Sequence, residues 1–529
     1  MKLDDMKILA AKGRMSRRDF VQLGLIAGLT AAAAEGMFVN AVRAAAKQGG
    51  SARIGLAHGS TTDSLDPGTW PDTFTQTVFW GSAANSLTQV DHKGGVIADL
   101  AESFEPADGA KTWVFKLRQG LEFHNGKSVT ATDVVESFRH HMGAESKSAA
   151  KSLLKSVADI KADGPQTVVF TLEGGNADFP YIASDYHIPV MPAKDGGGVD
   201  WQSGIYTGAF KLDKFEPGIS ASLKRNPNYH WEGMPHFDAV EFIAIPDTAA
   251  RMNALTTGDV HFIGRVDLKT VAMMQRNPNL VILEQTGFGH YVLPMNVTIA
   301  PFDNVDVRLA LKWAVDREEI AKKIFLGHAT PGNDNPIAPS VKFAIDPQPR
   351  HIYDPERARS HVKKAGLSSL KVDLSVADAA FSGAVDAGVL FKESAAKAGI
   401  DINLIREPND GYWDKVWLKK AWCASYWSGR PNCDGAFSIA YAADAAWNET
   451  FWKNPRFNEL LISARAETDE ATRATMYAEM QQLVHDDGGL INLVFNNFVD
   501  AYSDKLAHGP TAANWENDGL RIAERWWFA

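Results

Sequence analysis

Between residues 413 and 452 stand six of the chain's fifteen tryptophans, Trp413, Trp417, Trp422, Trp427, Trp447 and Trp452, with Tyr412, Tyr426, Phe437, Tyr441 and Phe451 among them. Large flat side chains offer contact area at small conformational cost, so such a cluster suits the wall of a small-molecule site. A local aromatic core is the other reading of any single member. Inside the cluster runs Trp427-Ser428-Gly429-Arg430-Pro431-Asn432-Cys433-Asp434-Gly435, a glycine- and proline-containing loop that carries one cation and one anion. Trp70, just after the turn Leu65-Asp66-Pro67, and Tyr291, in a strand pattern, are further candidates for such a wall.

Catalytic patterns are absent from the sequence. Gly126-Lys127-Ser128 superficially matches the end of a phosphate loop, but the position five residues before Gly126 is Leu121 where that loop needs glycine. There is no Gly-x-Ser-x-Gly, His-Glu-x-x-His or Cys-x-x-Cys. His140-His141, beside Arg139, reads as the solvated face of a helix rather than a metal site. No catalytic residue, metal or cofactor is therefore expected.

The elements that must position these residues are legible in part. Thr112-Trp113-Val114-Phe115-Lys116-Leu117 alternates with period two, and Asn125-Gly126 follows as a hairpin signal. Thr130 with Asp133 three residues on is a capping box for a helix whose apolar face holds Val134, Val135 and Phe138. A second strand pair is expected at 157–162 and 167–172. Beyond Gly196-Gly197-Gly198, strands at 208–212, 221–225, 240–245, 371–376, 401–406 and 490–495 interleave with helices at 247–257, 307–325, 355–365, 384–398 and 455–486. That alternation builds an α/β sheet covered on both faces. Arg308, near Asp303 and Asp306, reads as a structural ion pair.

At 529 residues the chain has room for two to four domains of roughly 100–200 residues each. Its 54 basic and 64 acidic groups give −10. The first 46 residues hold seven basic and four acidic groups, leaving 47 against 60 in the remainder, or −13. An acidic excess of this kind argues against nucleic acid as the main partner. The leader itself reads as an address: Ser16-Arg17-Arg18-Asp19-Phe20, a weakly apolar run from Leu23, then Ala44-Ala45-Ala46. The paired arginines match the twin-arginine export signal, and cleavage near 44–46 is expected to release a periplasmic protein. Cys423 and Cys433 bracket the Arg430 loop, and in an oxidising compartment a disulfide between them would hold its shape.

The run from Trp113 to Lys127, with Leu117-Arg118-Gln119-Gly120 and Phe123-His124-Asn125-Gly126-Lys127, followed by Val129-Thr130-Ala131-Thr132-Asp133, resembles the bacterial extracellular solute-binding proteins of family 5, the peptide and nickel transporter class. Asn226-Pro227-Asn228-Tyr229, Gly258-Asp259-Val260, Pro301-Phe302-Asp303 and Tyr353-Asp354-Pro355 occur in the same order as in that family. The resemblance implies a type II periplasmic binding protein fold: two hinged α/β lobes with a small α+β subdomain inserted in the first. Its divisions would be a signal peptide at 1–46, the first lobe at 47–91 and 197–292, the inserted subdomain at 92–196, the second lobe at 293–495 and a return to the first at 496–529. It also implies a monomeric receptor that captures a peptide or similar zwitterionic solute in an interlobe cleft and delivers it to an inner-membrane ABC permease. By the same likeness Arg430 would meet a ligand carboxylate and Asp434 an ammonium, with Trp427, Tyr426 and Trp447 as walls. An oligosaccharide, an opine or a metal complex is the alternative ligand. A secreted hydrolase is the alternative of another class.

Overall fold

Alternating apolar residues build the strand Thr112–Leu117, which buries Trp113, Phe115 and Leu117 and turns Lys116 outward. The computed structural model describes residues 46–529 except 71, 144, 145, 147, 409–411, 428 and 446, together with 3, 6, 7, 15, 17–27, 29, 30, 33, 34 and 37 of the leader. Arg17–Ile26 of the leader is helical. Ala44 and Ala45 of the expected cleavage region, and Ser428 of the charged loop, lie outside the described residues.

The chain divides into two units, one made of 1–175, 179–283 and 499–529, the other of 176–178 and 284–498. In the first unit, Ser51–Leu56 runs parallel to both Ala239–Ala244 and Phe262–Ile263. Ser220–Arg225 and Phe210–Glu216 extend that sheet antiparallel on one side, and the end of Asn492–Ser503 closes the other, with Phe262 opposite Tyr502. Trp70, Phe74, Phe79, Trp80, Phe242 and Trp526 fill the core beneath.

The first unit holds a second, four-stranded antiparallel sheet, in the order Ala101–Ala107, Thr112–Leu117, Thr167–Leu172, Val157–Ala162. The expected pairing of the last two strands is present, with Ile160 opposite Phe170. The capping box also forms: Asp133 accepts from the Thr130 backbone N–H at 2.8 Å, starting helix Ala131–Met142. The hairpin expected after 112–117 is different. Both edges of that strand are already occupied by Ala101–Ala107 and Thr167–Leu172, so Asn125-Gly126 instead closes a small turn bridged between Glu122 and Ser128, with Gly126 at φ +84°.

The second unit is built on Ser425–Trp427, the first half of Asn492–Ser503 and the end of Leu280–Val292, beside a parallel pair, Leu370–Val376 and Ile400–Arg406. The single helix expected at 307–325 is two, Val305–Ala314 and Arg317–Lys323. Asp316 breaks it by accepting the Glu319 N–H at 2.9 Å, a local bond that competes with helix continuation. The same device splits 455–486 into Pro455–Ala466 and Glu470–Asp487, where Asp469 accepts from Thr472 N–H at 2.8 Å. Arg308 is a structural ion pair, as expected, but its partner is Asp487 at 2.8 Å. Lys312, fully buried, donates to the His485 carbonyl at 2.7 Å. Two cations thus meet the carbonyl end of helix Glu470–Asp487, where the helix dipole is negative.

Candidate functional site

Strand Ser425–Trp427 lies antiparallel to Leu280–Val292, with His290 opposite Trp427 and Tyr291 opposite Tyr426. Trp427 is almost buried, and its indole N–H donates to Glu449 Oε1 at 2.7 Å. The Trp417 indole N–H reaches the other oxygen, Oε2, at 2.5 Å. One carboxyl group therefore fixes the angle of two indoles. Burial raises the Glu449 pKa, and the two indole donors oppose that rise by holding the charged form. Trp447 packs 6.1 Å from each of those rings, centroid to centroid, yet remains 47% exposed, and Tyr426 is 46% exposed. Trp417, Trp427 and Trp447 form an aromatic platform braced from behind by a buried acid, while Tyr426, one position along the strand, projects to the other face of the sheet with Tyr291. Aromatic surface held open in this way makes the platform a candidate binding face.

The charged loop follows directly. Gly429 has φ +79°, and a Cβ there would stand 2.2 Å from Phe288 Cβ, so only glycine passes this point. Arg430 donates from Nη1 to the Gly429 carbonyl at 2.7 Å. Asp434 stands in the first turn of helix Cys433–Ala440, which Asn432 caps by accepting the Gly435 N–H at 2.8 Å. Its carboxylate is buried and bonded to Arg465 Nε at 3.0 Å, with the Ser438 hydroxyl at 3.3 Å. Its cation within the chain is thus Arg465, 31 positions along. Burial, with the nearby charge of Asp178, pushes the Asp434 pKa up to about 6 against the pull of Arg465.

Three sequence expectations are corrected. Cys423 and Cys433 are free thiols. Cys423 belongs to the core around Trp422 and Phe391, and Cys433 to the core around Phe437 and Tyr477, where its thiol faces the Lys342 carbonyl at 3.4 Å. Short separation along the chain does not bring them together, because strand and helix turn them into different clusters. Trp70 is fully buried, stacked on Phe79 at 5.4 Å and donating to the Ser64 carbonyl, so it is core and no wall. Tyr291 lies flat against Phe381 at 4.4 Å and against Phe325 at 5.4 Å, a packed position rather than an open one.

The first unit carries a polar cluster that sequence reasoning did not single out. The parallel strands Ser51–Leu56 and Phe262–Ile263 end side by side and lead into His58 and Gly264-Arg265. The Arg265 guanidinium is clamped on Glu516 at 2.8 to 3.0 Å and donates to His58 Nε2 at 3.0 Å. Its backbone N–H donates to buried Asp500 at 3.2 Å. Burial, helped by Glu516, pushes the Asp500 pKa up to about 7. Carboxyl ends of parallel strands are where open α/β sheets present ligand-reading loops. That rule was the available signal, since His58 follows a recognised strand.

The family model for bacterial extracellular solute-binding proteins, family 5, middle region, matches residues 95–449, which include both the four-stranded sheet and Glu449. The chain belongs to this family. Among family 5 relatives, the glutathione-binding protein GsiB of Escherichia coli (strain K12) is 26% identical over 466 residues, covering 85% of this chain and 90% of its own. The ABC transporter-associated periplasmic binding protein DppA from Helicobacter pylori, solved with the peptide STSA, is similar in structure at TM-score 0.70 and 22% identity, over 92% of this chain and 100% of its own. HbpA2 from Haemophilus parasuis is similar at TM-score 0.79 and 21% identity, over 87% and 97%. The fold is that of the type II periplasmic binding proteins. A family 5 protein of this kind is a substrate-binding component of import and not an enzyme, so the hydrolase reading is set aside. Among the described residues no helix is long and apolar enough to cross a membrane.

Proposed function

We propose that the chain captures a peptide or a comparable small zwitterionic solute in the periplasm, as a monomer, and hands it to an inner-membrane permease. The observation that carries the ligand reading is the half-open Trp447 beside the indoles that Glu449 braces, with Arg430 on the next loop. Aromatic faces take the apolar backbone and side chains of such a solute, and a guanidinium takes its carboxylate. Asp434 is paired with Arg465, so a solute ammonium at this loop would compete with that guanidinium for it. The names of relatives support the class: one is named for glutathione and another was solved with a peptide.

Export by the twin-arginine route belongs to the same proposal, supported by Ser16-Arg17-Arg18-Asp19-Phe20. Two measurements test the ligand reading. Mass spectrometry of small molecules released from protein purified out of its native compartment is expected to find a peptide or amino-acid derivative. Calorimetry with that compound is expected to show Trp447→Ala weakening binding by about 2 kcal/mol, the scale of an aromatic hot spot. An uncharged sugar in the first experiment, or unchanged affinity in the second, would overturn the reading.

A further inference from the structure

Two motifs that stand far apart in the sequence, Arg118-Gln119-Gly120-Leu121-Glu122 and Asn228-Tyr229-His230, meet in the first unit and line one cavity of about 480 Å³. That volume falls within the roughly 300–1,000 Å³ of small-molecule sites. Its floor is built. Asp99 is fully buried and accepts from Asn85 Nδ2 at 3.0 Å, His230 Nε2 at 3.0 Å, Trp231 Nε1 at 3.1 Å and Arg521 Nη2 at 3.3 Å. The Asp99 carbonyl accepts from Arg118 Nε at 2.6 Å, and the guanidinium lies over the Trp231 ring at 5.0 Å. Arg118 is thereby aimed and stiffened, while its two terminal nitrogens meet no hydrogen-bond partner among the described residues. Glu122 accepts from Asn228 Nδ2 at 3.1 Å, which ties the two motifs together. The Glu102 carboxylate, also on the lining, has no ion pair or hydrogen bond among the described residues.

The lining therefore presents a fixed guanidinium fork and two carboxylates whose charges the protein does not pair with one another. A lone anion would meet the two acids, and a lone cation would meet Arg118. Only a ligand carrying both signs matches all three groups. We propose that this cavity is a second small-molecule site, separate from the tryptophan platform, and that it takes a zwitterion of amino-acid to dipeptide size, carboxylate on Arg118 and ammonium on Glu102 and Glu122. Guanidinium and carboxylate pairs of this type are the strong, directional ones.

Trp231 is the natural reporter, since its ring lies under Arg118. In full-length mature protein labelled with fluorotryptophan, the Trp231 resonance is assigned by its loss in Trp231→Phe, and the Trp447 resonance reports the platform independently. Glycine and diglycine are expected to shift the Trp231 signal saturably, at least about tenfold more tightly than acetate or ethylammonium, each of which carries one charge only. Glu102→Gln, at an exposed position with no partner to lose, should weaken the response to glycine about tenfold, as should Arg118→Lys, which keeps the charge and loses the fork. The proposal is overturned if no probe shifts Trp231 at millimolar concentration, if acetate binds as well as glycine, or if both variants respond like the parent.

Discussion

At the scale of single residues, the chemistry of recognition comes down to which charges are already spent. Arg430 uses one nitrogen on its own preceding carbonyl, a bond that a ligand carboxylate can outbid because charge-assisted pairs are stronger than bonds to neutral acceptors. Arg430→Ala should therefore weaken an anionic-ended ligand by about 2–5 kcal/mol, and calorimetric affinity equal to the parent's would remove Arg430 from the site. Asp500 makes a different, pH-dependent statement. Its folded pKa of about 7 lies above the ordinary carboxylate value, so between roughly pH 4 and 7 the folded protein binds more protons than the unfolded chain. Its contribution to stability is full below that window and is lost as pH rises through it. Asp500→Asn, which cannot ionise, should melt near the parent at the acid end and progressively above it toward pH 7, with no further gain beyond. A melting difference independent of pH would show that Asp500 does not titrate in this way.

At the scale of elements, small polar residues decide where helices stop. Asp316 and Asp469 each take a backbone N–H three residues on, and each turns one apolar-periodic stretch into two helices. Asp469→Ala should cost about 1 kcal/mol, the usual value of a lost N-cap, and the midpoint of chemical denaturation would register it. A midpoint shift near zero would mean that Glu467, which accepts the Thr468 and Asp469 N–H groups at 2.8 Å, sets the break alone. The site loop obeys similar logic. With no disulfide to shape it, the loop depends on Gly429 passing over Phe288 and on Asn432 capping the following helix. The Asn432 cap is short-range and the Phe288 contact is not, so the loop was recognisable from its own residues although its supposed crosslink was not real.

At the scale of the whole molecule, the chain returns on itself: 499–529 joins the unit that 1–175 begins, and 176–178 belongs to the other unit, where Asp178 pairs with Arg473 at 2.8 Å. A receptor of this type carries no chemistry of its own, so its use depends on where it is placed. If the leader is a twin-arginine signal, replacing Arg17 and Arg18 together by lysine should leave full-length precursor inside the cell, while the parent yields a mature form beginning near residues 44–46 by intact mass. Continued export of the double variant would assign the leader to another route.

What the sequence determined by itself was local or statistical. The Thr130–Asp133 capping box, the 157–172 strand pair and the crowding of tryptophan near the charged loop follow from bonds and periodicities that span a few residues, and the order of family motifs follows from the chain alone. Tertiary structure decided the partners: Glu449 for Trp417 and Trp427, Arg465 for Asp434, Glu516 for Arg265, and separate cores for Cys423 and Cys433. It also decided that Trp70 is core and that Tyr291 is packed against Phe381, while Tyr426 and Trp447 stay half exposed. Residue type announces what a side chain can bond to. Which of many equivalent partners it meets is settled only when distant segments pack and water is expelled between them, because burial alone makes one pairing worth more than the rest.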